Sequence, residues 1–248
     1  MSDKPFQFKE FSIYQEKTSM KVGTDAVLLG VWTSLDNFPD KILDIGSGTG
    51  IISLMLAQRS DAETIDAVEI DENAYEQSVE NFEKSIWADR LYCYHCSFEE
   101  FVDEISSEKE TYDLIVSNPP FYTENAETPS ESRTKARFTS ALSFEDLLLG
   151  VSKILTEEGV FSTIIPFKEE NDFVKLANQN NLFLNKVCRV QGNPTSKLKR
   201  SLLSFSFQKT DVIESNLIIE TERHQYTKEY IHHHYSIESP ILYQHHIQ

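Results

Sequence analysis

Residues 41–50 of the chain, KILDIGSGTG, join a short apolar run to three alternate glycines at positions 46, 48 and 50. The apolar run predicts a buried strand, and the residues that follow, IISLML, predict a helix that begins directly after the last glycine. Glycine allows backbone to come close to a ligand, so a strand, a glycine loop and a helix in this order predict a nucleotide-type cofactor. The same triplet also forms plain tight turns, and the loop alone leaves both interpretations open.

The spacing of the glycines narrows the choice of cofactor. Dinucleotide-binding loops carry G-x-G-x-x-G, which brings a helix N-terminus to a pyrophosphate, whereas this loop is Gly46-x-Gly48-x-Gly50. Asp44, just before the loop, would repel a phosphate but can face an ammonium group. S-adenosylmethionine carries an ammonium group, a ribose and an adenine, and is therefore the cofactor that we expect.

A second acidic residue supports this interpretation. Glu69 lies nineteen residues after Gly50, near the end of the mostly apolar run at residues 64–70. In doubly wound folds an acid at the end of the second strand binds the two ribose hydroxyls. Glu69 and Asp71 can also simply begin the next helix, where acids interact well with the helix dipole, and both roles can hold at once.

Strands and helices alternate along most of the chain. Strands are predicted at residues 41–45, 64–70, 91–95, 112–117, 159–166, 182–190 and 201–209, with amphipathic helices between most of them. This order predicts an α/β fold with a doubly wound, Rossmann-like, seven-stranded, mostly parallel sheet and an antiparallel terminal strand. We expect an N-terminal cover with a short hairpin at 1–40, the core at 41–210 and a C-terminal extension at 211–248. Thr24 or Asp25 is expected to cap the helix that precedes the glycine loop.

Composition and charge limit the function. The chain has 248 residues with 40% hydrophobic content, no long apolar segment, no signal peptide at its start and three cysteines, which together predict one cytoplasmic domain without a disulfide framework. The net charge of −17 argues against broad nucleic-acid binding but allows a local basic patch. Two basic clusters stand out, at residues 133–137 and 197–200. Cys93 and Cys96 lie three apart on a strand and so face opposite ways, and we expect no metal.

The stretch Asn118-Pro119-Pro120-Phe121 follows the fourth strand of the predicted core, where ligands of parallel sheets bind. Two prolines remove two amide donors and leave carbonyl acceptors. The side-chain oxygen of Asn118 and the carbonyl of Pro119 can accept both N–H bonds of a planar amine and favour a more reactive nitrogen. Phe121 can stack on the ring that carries the amine. A plain Asn-Pro turn at the end of a strand is the alternative.

With these features in place, the chain resembles the class I S-adenosylmethionine-dependent amino-methyltransferases and, more closely, the bacterial tRNA(Val) adenine-37 N6-methyltransferases. The resemblance rests on residues 20–26 (MKVGTDA), 28–32 (LLGVW), 43–50 (LDIGSGTG), 66–69 (DAVE), 117–122 (SNPPFY) and 136–139 (ARFT). It extends to about residue 230. The histidine-rich end of the chain departs from the family pattern, and so does Ser97, where relatives often carry an aspartate for the cofactor's adenine.

The resemblance assigns a role to each group of residues. It implies that the methionine end of S-adenosylmethionine is held by Asp44, Gly46, Gly48 and Gly50 and its ribose by Glu69. It further implies that Lys21, Gly23, Thr24 and Asp25 close over the cofactor. Ser97 and Phe98 are further candidates for cofactor binding. The resemblance also implies that the target adenine, flipped out of the RNA, is held by Asn118, Pro119, Pro120 and Phe121. RNA binding is expected at Arg133, Lys135, Arg137, Lys197, Lys199 and Arg200.

The expected reaction is therefore N6-methylation of adenine in tRNA by a monomeric enzyme. Other planar amines remain as alternative acceptors, namely guanine N2 of rRNA, adenine N6 of DNA and a protein glutamine. A release-factor enzyme would carry a helical domain before the core, and a DNA enzyme would carry basic target domains. An NAD-dependent oxidoreductase is disfavoured by the glycine spacing, and a cofactor-binding protein without catalysis is the remaining class.

Overall fold

A computed structural model describes residues 4–18, 20–120, 142–223 and 225–234, and the elements are numbered along these residues. The first part comprises a hairpin and a helix: β1 (Phe6–Gln7), β2 (Ser12–Ile13) and α1 (Thr24–Trp32). The glycine loop follows the first strand of the next part, which comprises β3 (Lys41–Ile45), α2 (Ile51–Arg59), β4 (Thr64–Glu69), α3 (Glu72–Glu83), β5 (Leu91–His95), α4 (Phe98–Glu108) and β6 (Tyr112–Ser117).

The remaining elements complete the sheet and add two small ones at the end. They are α5 (Phe144–Ile154), β7 (Leu155–Pro166), a 3-10 turn (Phe167–Glu169), α6 (Glu170–Gln179), β8 (Phe183–Gln191), β9 (Leu198–Ser206), β10 (Ile213–Ile218), β11 (Glu220–Glu222), β12 (Gln225–Tyr226) and α7 (Lys228–His234). None of the helices in the described ranges is long and apolar enough to cross a membrane.

The central sheet has the strand order β10-β8-β9-β7-β6-β3-β4-β5 within the described residues. All neighbours pair in parallel except β9, which is antiparallel to both β7 and β8. The predicted mostly parallel α/β fold is confirmed. The predicted count of seven strands is wrong by one, because β10 adds an eighth strand. The antiparallel strand was predicted at the end of the sheet, but β9 lies inside it, between β7 and β8. The sheet thus continues past residue 210, where we expected the core to end.

Helices cover both faces of this sheet, as the alternating pattern predicted. One apolar core contains side chains of the hairpin and of α1, α2 and α3, and the other contains side chains of α4, α5 and α6. Helices α1 and α2 approach closely at Gly30, where an added Cβ would lie 2.6 Å from the sulfur of Met55. Because helices cover both faces of the sheet, a ligand can reach it only at the ends of the strands.

Strands β3 to β7 and β8 and β10 all end on one side, here called the carboxyl edge, and β9 begins there. The parallel registers pair Ile45 of β3 with Val68 of β4 and with Ser117 of β6. The glycine loop, Glu69 and Asn118 consequently follow neighbouring strands at the same level. This is the arrangement that the sequence predicted for a ligand site.

The starts of three helices show which residues cap them. Asp71 and Ser143 cap α3 and α5 by accepting from the amides of Ala74 and Asp146. The prediction for α1 is wrong: this helix begins earlier, at Thr24, its N-cap residue is Gly23, and no side chain caps it. Thr24 and Asp25 already lie inside the first turn, so their side chains face outward from the helix instead of closing its end.

Candidate functional site

The glycine loop needs glycine for two different reasons. Gly46, Gly48 and Gly50 have φ of +72°, +59° and +76°, the left-handed region that other residues rarely adopt. An added Cβ at Gly46 or Gly48 would meet no described atom within 4 Å, whereas at Gly50 it would lie 2.5 Å from a ring carbon of Phe82. The first two glycines thus border open space, and the third is packed against α3.

Asp44 is fully buried two residues before the loop. One carboxylate oxygen, Oδ2, accepts from the hydroxyl of Ser53 at 2.7 Å and from its amide at 3.2 Å. The other oxygen, Oδ1, has no partner among the described residues. Burial raises the pKa of Asp44 to about 7, and the charge of Glu69 adds to the rise. A buried carboxylate with an unpaired oxygen is stabilised by a cationic partner, and the ammonium group of the expected cofactor is one.

Glu69 connects the glycine loop to α3. Its Oε2 accepts from the amide of Gly48 at 2.8 Å, its Oε1 accepts from the amide of Asp71 at 2.9 Å, and only 8% of the residue is exposed. Each oxygen keeps a further lone pair for a hydroxyl donor. Glu69 thus supports the start of the helix and faces the loop, so the two roles considered from the sequence are compatible.

Ile70 is a candidate that the sequence interpretation missed. It directly follows Glu69, and 51% of this apolar residue is exposed at the carboxyl edge. His95 contacts its carbonyl through Nε2 at 3.2 Å and stacks on Tyr75, with ring centroids 5.1 Å apart. An exposed aliphatic side chain beside Glu69 offers a surface for a flat ring. The signal was an apolar residue after the strand-end acid, which we had counted as part of the strand.

Ser97 and Phe98 have clear structural tasks. The Ser97 hydroxyl accepts from the Glu100 amide at 3.2 Å, and Oε2 of Glu100 accepts from the Ser97 amide at 2.9 Å, which together form a capping box at the start of α4. Phe98 is buried in the core between the sheet and α5. A contact of either residue with the cofactor stays a prediction.

Asn118 follows β6 beside the glycine loop. Ser117, the last residue of β6, pairs with Ile45, the last residue of β3, and its hydroxyl donates to the Ile45 carbonyl at 3.0 Å. Asn118 and Gly46 each follow one residue of this last pair, at the same edge of the sheet. Asn118 is half-buried, Pro119 is buried and Pro120 is exposed. Phe121 and the basic residues Arg133, Lys135 and Arg137 lie outside the described residues.

The segment before α1 is connected to the glycine loop through α3. The carboxamide of Asn81, on α3, donates to the carbonyl of Thr49 at 2.8 Å and to that of Tyr14 at 2.9 Å, and it accepts from the Tyr14 amide. The amide of Lys17 donates to Gln77 on the same helix. Of the residues predicted to close over the cofactor, Lys21, Gly23 and Thr24 are exposed and Asp25 is half-buried.

The second basic cluster also lies at the carboxyl edge, where Arg200 of β9 pairs with Pro166 of β7. Lys197 and Lys199 are exposed, and neither forms an ion pair within the described part of the chain. Arg200 instead binds Asp25: its Nε donates to Oδ2 at 2.7 Å. The structure therefore brings together two residues that the sequence had assigned to different ligands.

Cys93 lies close to the glycine loop, but its thiol is unreactive. Its sulfur lies 3.9 Å from the hydroxyl of Ser47, and burial raises the pKa of the Cys93 thiol to about 12. A thiol with such a pKa is a poor nucleophile at neutral pH. Across the described ranges, no group of three or more His, Cys, Asp or Glu side chains is arranged to hold a metal ion.

Comparison with known proteins gives consistent results. The model of the methyltransferase small domain family matches residues 18–140. A tRNA1(Val) (adenine(37)-N6)-methyltransferase of Christiangramia forsetii is 58% identical over 230 residues, which are 93% of this chain and 95% of that protein. A protein of the same name from Bacteroides fragilis is 42% identical over 93% of this chain and 96% of its own length.

Solved structures support the fold. A predicted O-methyltransferase from Agrobacterium tumefaciens matches with a TM-score of 0.65 and 18% identity, over 86% of this chain and 96% of that one. A SAM-dependent methyltransferase from the same organism matches with a TM-score of 0.58 and 16% identity, over 84% and 71% of the two chains. At these identities the likeness concerns the fold alone.

Proposed function

Because this chain belongs to the tRNA1(Val) (adenine(37)-N6)-methyltransferase family, we propose that it transfers a methyl group from S-adenosylmethionine to N6 of adenine 37 in a valine tRNA. The relatives match over nearly their whole length, so the activity of the complete proteins is the relevant one. The observation that carries the proposal is that Asn118 and the glycine loop directly follow the paired residues Ser117 and Ile45 of neighbouring strands, because an acceptor held by Asn118 is then close to a cofactor held by the glycine loop.

The residues around the loop fit the cofactor. Gly46 and Gly48 border open space, Asp44 has an unpaired carboxylate oxygen for the ammonium group, and Glu69 can accept from ribose hydroxyls. When bound, S-adenosylmethionine supplies an electrophilic methyl group on a sulfonium. Ile70 then offers its exposed side chain to the adenine of the cofactor.

The acceptor side needs hydrogen-bond acceptors and no titrating base. The side-chain oxygen of Asn118 and the carbonyl of Pro119 accept the two N6–H bonds of the flipped adenine. Those bonds favour a pyramidal nitrogen whose lone pair points at the methyl group, and the rate gain comes mostly from this alignment. Phe121 stacking on the base completes the proposal.

Binding of RNA requires local positive charge on an acidic protein. Lys197 and Lys199 supply exposed cations at the carboxyl edge that form no ion pair with the described residues, and Arg133, Lys135 and Arg137 follow Phe121 in the sequence and supply more. We propose that these residues contact phosphates of the anticodon stem-loop. A tRNA substrate also favours the expected cytoplasmic location, and the monomeric state stays a prediction.

Methyl transfer to unmodified tRNA, followed by mapping of the modified nucleotide, tests the proposal. Asn118→Ala should abolish transfer and leave the dissociation constant of S-adenosylmethionine nearly unchanged, because Asn118 contacts only the acceptor. Asn178→Ala makes the same change on the exposed surface of α6 and should have normal activity. Undiminished turnover of Asn118→Ala, or a methyl group on another nucleotide, rRNA or a protein glutamine, would contradict the proposal.

A further inference from the structure

An ion pair joins the first turn of α1 to the start of β9. The Nε of Arg200 donates to Oδ2 of Asp25 at 2.7 Å, although 175 residues separate the two in sequence. The side chains are 33% and 28% exposed, so the pair is partly shielded from water. Partial burial makes such a charge-assisted bond stronger than an ion pair on the open surface.

The pair lies at the end of α1 that is close to the glycine loop. Helices α1 and α2 run side by side, since Gly30 packs against Met55 and the carbonyl of Gly30 accepts from Arg59 at the end of α2. The contacts near the ends of both helices imply that the two run in the same direction. The start of α1 therefore lies on the side where α2 begins, at the glycine loop.

Neighbouring residues of β9 point to opposite faces of the sheet, as in any strand. The side chain of Ser201 donates to Glu170, at the start of α6, and therefore lies on the α6 face. Arg200 lies on the other face, where it meets α1. Lys199 lies where the pairing of β9 with β8 is irregular, is exposed and forms no ion pair within the described part of the chain.

We propose that Arg200 is a positioning residue for the cofactor segment at residues 21–25, which it holds beside the glycine loop through Asp25. The inference rests on the proposed function, because it requires S-adenosylmethionine at that loop. Arg200 acts in this way with or without RNA, whereas Lys199 acts on RNA alone. One strand thereby contributes adjacent residues to the two substrates of the reaction.

The test is the dissociation constant of S-adenosylmethionine, measured by calorimetry without RNA. Arg200→Gln and Asp25→Asn should each raise it by about three- to fivefold, the range of a moderate ion pair. The double variant should be no weaker than either single one, because both changes remove the same interaction. Arg200→Lys, which keeps the charge, should lie between wild type and Arg200→Gln. Lys199→Gln should leave this constant unchanged and raise only the KM for tRNA.

The following outcomes would contradict the positioning role of Arg200 or the proposed function. If Arg200→Gln binds the cofactor as tightly as wild type and raises only the KM for tRNA, Arg200 is an RNA contact and the inference is wrong. Should that variant not fold, Asp25→Asn alone must still weaken the cofactor, and normal affinity in it overturns the inference. Wild-type protein that methylates adenine 37 while the Arg200 variants bind normally refutes only the inference. Wild-type protein that binds no S-adenosylmethionine refutes the proposed function as well.

Discussion

Alanine substitutions at Gly48 and Gly50 distinguish a glycine that borders open space from a glycine that is packed against α3. Both positions have positive φ, which costs an alanine about 1 kcal/mol of folding free energy. Gly50→Ala also places a Cβ 2.5 Å from Phe82 and 2.6 Å from the hydroxyl of Ser78, and such overpacking costs roughly 1–3 kcal/mol more. We expect losses of about 1 kcal/mol for Gly48→Ala and about 2–4 kcal/mol for Gly50→Ala.

Affinity for S-adenosylmethionine should follow the opposite order. The Cβ of Gly48→Ala projects into the open space that we assign to the cofactor and should weaken binding at least about tenfold, a loss of roughly 1.4 kcal/mol. The Cβ of Gly50→Ala faces α3 and should affect binding less. Urea unfolding curves give the stabilities, and calorimetric titration of the folded variants gives the dissociation constants. Normal binding by Gly48→Ala would show that the cofactor does not use the open side of the loop.

Three further predictions concern charge. The pKa of Asp44 is about 7 in the folded chain and near 3.8 in the unfolded chain. The folded chain therefore binds the proton of this carboxyl group more tightly than the unfolded chain does. Between those pH values the free energy of unfolding of wild type should therefore fall relative to Asp44→Asn as pH rises, by at most about 1.4 kcal/mol per pH unit in denaturant titrations. Arg189→Ala leaves the buried carboxylate of Glu170 without its cationic partner and should cost about 2–4 kcal/mol in thermal or urea unfolding, whereas Glu214→Gln, which loses the more exposed pair with Arg189, should cost under about 1 kcal/mol. Equal losses in these two variants would contradict that reasoning. Alanine at Arg133, Lys135 and Arg137 should reduce the slope of log K for tRNA binding against log salt concentration by about 0.7–0.9 per lost phosphate contact, and an unchanged slope would exclude these residues as phosphate contacts.

The strongly apolar strands could be predicted from the sequence because burial on both faces leaves little choice of residue. β3 and β6 carry uninterrupted buried runs, and their ends fix where the glycine loop and Asn118 lie. β10 was missed because it is an edge strand: most of its residues, IESNLI, are exposed, and only Leu217 is buried. Polar residues are tolerated there since the strand has a neighbour on one side alone.

The polar contacts of the site could not be predicted in the same way. A local pattern indicates which residues carry charge, but the pairing of Asp25 with Arg200 depends on how β9 is inserted between β7 and β8. The N-cap of α1 was assigned incorrectly for a related reason: Thr24 and Asp25 are good capping residues, yet Gly23 takes that position and leaves Asp25 available to the arginine. Spacing along the chain predicted which residues follow neighbouring strands at the carboxyl edge better than which side chains contact each other.

The carboxamide of Asn81 bears on how far the protein can be shortened. This buried group satisfies the backbone of both Tyr14 and Thr49, so the amino-terminal hairpin region and the cofactor loop share a single side chain. A chain lacking its first twenty residues would leave Asn81 and Gln77 without those partners directly beneath the loop. The amino-terminal segment is accordingly an internal support of the glycine loop, and removing it would loosen the backbone of that loop.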